Sequence, residues 1–103
     1  MKRILVLSLL LFTTLAAFAD AAGAKLYRQK ACHGCHGADG SGNTPIGKSV
    51  GARDLRSEEV QKQSDEALAA VITEGRGKMP SFKSSLSPQQ IRLVIAHIRS
   101  LKR

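Results

Sequence analysis

Residues 32–36 read CHGCH. They hold both cysteines of this 103-residue chain and two of its three histidines. No other segment gathers side chains that can bond through sulfur or ligate a metal. Whatever fold forms must bring Cys32, Cys35, His33 and His36 to one place. A disulfide, a redox dithiol and a metal centre all use such residues, and the surrounding sequence decides among them.

The N-terminus bears on the compartment. Lys2 and Arg3 form a short positive segment, and Ile4 to Leu15 is apolar except for Ser8, Thr13 and Thr14. Ala17-Phe18-Ala19 then places small residues where a signal peptidase cuts. The expectation is a secretory signal over residues 1–19, cleaved after Ala19, and one domain over residues 20–103. The apolar run is shorter than the ~20 residues a membrane span needs. No cysteine follows it, which argues against a lipid anchor. Without the leader the only aromatics are Tyr27 and Phe82. A domain this small has barely enough core to hold itself, and staples or cofactors are common at this size. A large flat cofactor would fill the middle.

The full chain carries a net charge of +8. Losing Lys2 and Arg3 leaves 14 basic against 8 acidic residues. This favours an acidic partner surface or simple solubility. Nucleic acid is not expected, because no basic run has aromatics between its members.

Helical signals dominate the rest. Residues 20–31 are alanine-rich and read as a helix running directly into CHGCH. His36 to Gly51 is dense in glycine and reads as a loop. Ser57 to Gln63 suggests a helical turn. Ser64 is a candidate N-cap for a helix with Asp65 and Glu66 in its first turn and Leu68, Val71 and Ile72 on one stripe, ending at Gly75. After a second loop over residues 75–85, Ser87, Pro88 and Gln90 form a capping box with proline at the first helical position, and Leu86 with Ile91 a hydrophobic staple. Ile91, Val94, Ile95, Ile98 and Leu101 then recur at helical spacing. The expected class is all-α.

Gly42 to Ser49, GNTPIGKS, matches the phosphate-binding loop letter for letter. That motif works between a buried strand and a helix. HGADGS before it does not make a strand, and Pro45 lacks an amide the cradle would use, so nucleotide binding is not expected. A Cys32–Cys35 disulfide would close a loop too small to stabilise much. A thioredoxin-like dithiol needs a βαβ surround that is absent. Zinc would need a second ligand pair at structural spacing, and with only His33, His36 and distant His97 on offer a closed four-ligand site is awkward.

C-x-x-C-H is the attachment signature of c-type haem. Cys32 and Cys35 lie one helical turn apart, so both sulfurs reach one side of a porphyrin, and His36 follows as an iron ligand. Outside the leader Met79 is the lone methionine, in the loop GRGKMPSF rather than on an apolar helix face. It reads as the second axial ligand. Histidine with methionine raises the potential and closes both axial positions, which suits electron transfer over oxygen or peroxide chemistry.

CHGCH, HGADGSG, GKMPSF and LSPQQIRLVIAHIRSL together resemble a small bacterial class I cytochrome c over about residues 22–101. The resemblance implies a helical wrap around one covalent haem c, the first and last helices crossing at Gly23 and Tyr27. It implies Cys32 and Cys35 as thioether links, with His36 proximal and Met79 distal on the iron. It also implies that the Pro45 carbonyl accepts a hydrogen bond from the proximal histidine. His97 stands where an aromatic is common and is expected to pack at the helix crossing. Lys48 to Gln63 does not align residue by residue. His33 is expected to be exposed.

The implied function is a soluble periplasmic one-electron carrier, not an enzyme, whose redox partners dock through acidic surfaces. Arg76, Lys78 and Lys83 flank the methionine loop as candidate docking charges. The alternatives are a haem c subunit of a larger oxidoreductase, or a ligand-binding sensor in which Met79 is displaced. Protein exported by a haem-maturation-competent host is expected to begin at Asp20 and to weigh one haem more than the processed polypeptide. Intact-mass spectrometry of the purified material checks both.

Overall fold

The computed structural model describes residues 21–103; the leader expected at residues 1–19 lies outside the described residues. Six helices follow in order: α1, described over residues 21–29, α2 Cys32–His36, α3 Pro45–Val50, α4 Glu58–Gln61, α5 Asp65–Glu74 and α6 Pro88–Ser100. No strand occurs among the described residues, and the single bridge joins Arg76 to Met79. The class is all-α, as expected.

The best-marked helix in the sequence is the best capped. Gln90 N–H donates to Ser87 Oγ at 3.1 Å, and Ser87 N–H to Gln90 Oε1 at 2.9 Å. Pro88 opens the helix and Leu86 and Ile91 are both buried, so box and staple coincide. Ile91, Val94, Ile95 and Ile98 face the core. Ser64 caps α5 through Ala67 N–H at 3.1 Å, and Gly75 ends it at φ 79°. Leu68 and Ile72 face inward, where α5 meets α6.

Two local readings are corrected. The first helix does not run directly into CHGCH. Ala31 interrupts it in the left-handed conformation, φ 62°, a state costing about 1–2 kcal/mol for a residue with a Cβ. The turn redirects the chain, so α2 starts on a new axis with the cysteines on it. The stretch from His36 to Gly51 is likewise not all loop, because α3 lies within it. Thr44 caps α3 by accepting from Gly47 N–H at 2.8 Å, Pro45 sits at its first position and Gly51 closes it at φ 72°. The helix begins inside the GNTPIGKS match, with no strand before it among the described residues. Gly47 serves close approach instead, since a Cβ there would overlap the Cys35 carbonyl oxygen.

α1 crosses α6 at Gly23, where a Cβ would overlap the Leu93 carbonyl oxygen and lie 3.1 Å from His97 Cβ. One turn on, the Tyr27 ring tilts against His97 with centroids 4.9 Å apart. His97 thus packs at the crossing, as expected. At the far end Arg99 ties α6 to the α4–α5 junction, donating to the carbonyls of Gln61 at 2.8 Å and Gln63 at 2.6 Å and pairing with Asp65 at 2.8 Å. Gln61 Nε2 returns the bond to the Ile98 carbonyl at 2.9 Å.

Glycine-to-alanine normally stabilises a helix by ~1 kcal/mol. At Gly23 the overlap is with backbone, so Gly23→Ala is expected to destabilise the haem-loaded protein by about 1–3 kcal/mol, as overpacking does. Guanidinium unfolding of the variant beside wild type measures the sign.

Candidate functional site

The helices border a half-open cavity of about 640 Å³. Its wall is apolar, with Leu55, Val60, Leu68, Ile72, Val94 and Ile98 contributed by the loop before α4 and by α4, α5 and α6. Cys32, Cys35 and His36 line it from α2, and Met79 from the loop before α6. Four residues read from two distant motifs therefore share one cavity.

The cysteines are three apart on α2 and so share a helix face. Both are free thiols and partly exposed. Burial pushes the Cys32 thiol above its ordinary value, whereas a redox-active C-x-x-C lowers the pKa of its attacking thiol.

His36 Nδ1 lies 2.9 Å from the Arg53 carbonyl oxygen. A carbonyl only accepts, so Nδ1 carries the proton and the lone pair is left on Nε2, the tautomer a metal needs. The acceptor expected at Pro45 is therefore corrected to Arg53. Pro45 is exposed at the start of α3, does not line the cavity, and its carbonyl points along a helix axis. It is the returning segment after α3 that passes His36.

That segment is tied down on several sides. Leu55 N–H donates to the Gly40 carbonyl at 2.7 Å, and Gly42 N–H to the His36 carbonyl at 2.6 Å. Arg56 bonds Asp54 at 3.0 Å and approaches Asp39 at 3.9 Å. Bonding from Arg56 holds the Asp54 carboxyl below its usual range, and bonding from Ser41 does the same for Asp39. Tyr27 Oη donates to the Gly37 carbonyl at 2.6 Å, fixing the chain one residue past His36. Burial raises the Tyr27 phenol well above its ordinary value, so it stays a donor. Thr44 Oγ1 lies 2.9 Å and 3.0 Å from the carbonyls of Gly34 and Cys35 and clamps the end of α2.

Met79 is half-buried and packs against the core. Its N–H and carbonyl exchange bonds with Arg76 at 2.9 and 3.0 Å. The loop is pinned to α5 by Phe82 N–H on the Ile72 carbonyl at 3.0 Å and Ser81 Oγ on the Thr73 carbonyl at 2.6 Å. Gly75 permits the close turn, since a Cβ there would lie 2.8 Å from the Met79 carbonyl oxygen.

Basic side chains border the cavity: Lys30, Arg53, Arg76 and Lys78 line it, and among the described residues no carboxylate does. Lys83 instead approaches Glu74 at 3.8 Å. His33 is exposed, and His97 does not line the cavity. Thr44, the Tyr27 hydroxyl and the Arg53 carbonyl went unread in the sequence. The Thr44-Pro45 pair was a findable cap signal, whereas a carbonyl acceptor has none, since every residue carries one. Ile46, also on the cavity, is 56% exposed, unusual for so large an apolar side chain.

A planar macrocycle held through two sulfurs fits these residues. It would cover the apolar wall and Ile46, and meet free thiols, an imidazole of the right tautomer and a thioether.

The family model described as cytochrome c oxidase, cbb3-type, subunit III matches residues 18–98. Cytochrome c6 of Leptolyngbya boryana is 35% identical across 76% of this chain and 87% of its own. The cbb3-type cytochrome c oxidase subunit FixP of Bradyrhizobium sp. (strain ORS 278) is 39% identical across 79% of this chain, which spans 27% of FixP. The solved KustC0563 c-type cytochrome superposes with a TM-score of 0.72 at 38% identity, covering 79% of this chain and 98% of that one.

Tyr27→Phe removes one of two donors on the buried Gly37 carbonyl, which keeps the Gly40 amide at 3.1 Å, and is expected to cost about 0.5–1.5 kcal/mol. Thermal unfolding followed at the haem absorbance measures the loss.

Proposed function

Since the chain belongs to the class I c-type cytochromes, electron-transfer proteins carrying covalent haem c, we propose that it is a periplasmic carrier moving single electrons between two partner proteins. Cys32 and Cys35 are the thioether anchors, and His36 and Met79 the axial ligands. The observation that carries this reading is the convergence of these four residues on one apolar cavity. Residues 20–103 are the working domain and residues 1–19 the export signal.

Bound haem c supplies a one-electron ferrous–ferric couple. The protein's part is to hold ligands still and keep water out. His36 enters with its tautomer set by the Arg53 carbonyl. Met79 is presented by a loop bonded to itself and to α5. His36 and Met79 would hold the iron from the protein side, a ligand pair that would suit electron transfer over dioxygen or peroxide chemistry. The leucines, valines and isoleucines of the wall lower the local dielectric and exclude solvent reorganisation.

The charges around the cavity support an acidic docking partner. Lys30, Arg53, Arg76 and Lys78 border it with no carboxylate among the lining residues. Such a patch raises the encounter rate with a negative surface and loses that advantage at high salt. The likeness to FixP favours a second arrangement of the same chemistry, in which the chain serves as the haem-bearing subunit of a larger oxidoreductase.

No helix among the described residues is long and apolar enough to cross a membrane.

Met79→Ala is expected to keep haem attached through Cys32 and Cys35 and to lose the methionine-to-iron charge-transfer band. The potential should fall by a sizeable part of the ~0.8 V that axial ligation spans. Absorption spectra and protein-film voltammetry read both. Rapid carbon monoxide binding by the ferrous wild type at neutral pH would favour a displaceable-ligand sensor over the carrier.

A further inference from the structure

Gly42 touches both sides of the proximal contact. Its amide donates to the His36 carbonyl at 2.6 Å, so it grips the helix end that bears the ligand. Its Cα faces the returning segment, where a Cβ would stand 2.7 Å from the Ala52 carbonyl oxygen and 3.4 Å from that of Arg53. Its φ of +77° is one that residues with a side chain rarely adopt. Gly42 is buried, with no side chain interposed between the two backbones. The bonds of Ala52 to Gly47 and of Leu55 to Gly40 anchor the returning segment on either side, and backbone contact at Gly42 limits how closely the Arg53 carbonyl approaches His36 between them.

We propose that Gly42 is a positioning residue that sets the donor strength of His36, and with it the reduction potential, by holding the Arg53 carbonyl against Nδ1. The inference rests on His36 being the haem ligand. Donation from Nδ1–H to a carbonyl makes the imidazole more basic. A more basic ligand favours ferric over ferrous iron, so the contact lowers the potential and its loss raises it. The Arg53 side chain is not the cause. Its guanidinium pairs with Glu59 at 2.9 Å, but both partners are largely exposed, and such surface pairs are weak.

The test compares haem-loaded wild type, Gly42→Ala and Arg53→Gln. Gly42→Ala is expected to shift the ferrous-to-ferric ratio at fixed electrode potential about tenfold towards ferrous, a rise of ~59 mV for one electron. The His36 ring N–H should exchange faster with solvent in the same variant. Arg53→Gln keeps the carbonyl and should leave the ring N–H exchange as in wild type; because Arg53 borders the cavity, loss of its charge should move the potential downward, opposite in sign to Gly42→Ala.

In the wild type, nuclear Overhauser contacts from the His36 ring N–H should reach the backbone protons of Arg53 and Asp54. Contacts to Pro45 and Ile46 instead would overturn the proposal even if Gly42→Ala fails to fold. So would an unchanged potential and exchange rate in a folded Gly42→Ala, or an equal shift in Arg53→Gln. Failure of the underlying ligand assignment looks different: the His36 ring would show no paramagnetic shift in the ferric wild type.

Discussion

A five-residue helix does not hold itself in place. Fixing its backbone costs more than one turn of hydrogen bonds returns. α2 has no side-chain N-cap and buries none of its own residues. Everything that makes Cys32, Cys35 and His36 a site is supplied from outside α2. Thr44 bonds its last carbonyls, Gly47 lets α3 lie directly on Cys35, and Gly42 takes the His36 carbonyl. The left-handed Ala31 and the Tyr27 bond to Gly37 fix where the helix enters and leaves.

The remainder of the molecule prepares the other walls. α6 is the firmest element, capped at Ser87 and anchored at Arg99, and its apolar face contributes Val94 and Ile98 to the cavity. α5 lies beside it and carries the pinned loop that presents Met79. The two motifs are thus held by different parts of the chain, and the core between them is a space lined with aliphatic side chains. A sequence this poor in aromatic residues can afford that space only because a large cofactor belongs in it. The exposed Ile46 on the cavity is a sign of the same arrangement.

Legibility followed the range of the interactions. Caps at Ser64 and Ser87, the staple at Leu86 and Ile91 and the stop at Gly75 are decided within a few residues, and all read correctly. α3 was missed because Gly42, Gly47 and Gly51 masked any helical period, while the signal that starts the helix is the short pair Thr44-Pro45. Gly47 and Gly42 answered to packing against Cys35 and Ala52, contacts between segments that the linear sequence does not juxtapose. The break at Ala31 was missed for a related reason. Alanine favours helix continuation, and tertiary geometry overrode it.

By itself the sequence determined the all-α class, the cysteine–histidine signature, the lone loop methionine and the firm boundaries of α5 and α6. These depend on side-chain identity at fixed short spacing, which a sequence displays directly. Only the tertiary structure decided which carbonyl receives His36, where α1 turns into α2, and that Gly23, Gly42 and Gly47 mark backbone contacts. Backbone carbonyls are the same at every position, and close approach is a property of two segments at once. No single stretch of residues can announce either.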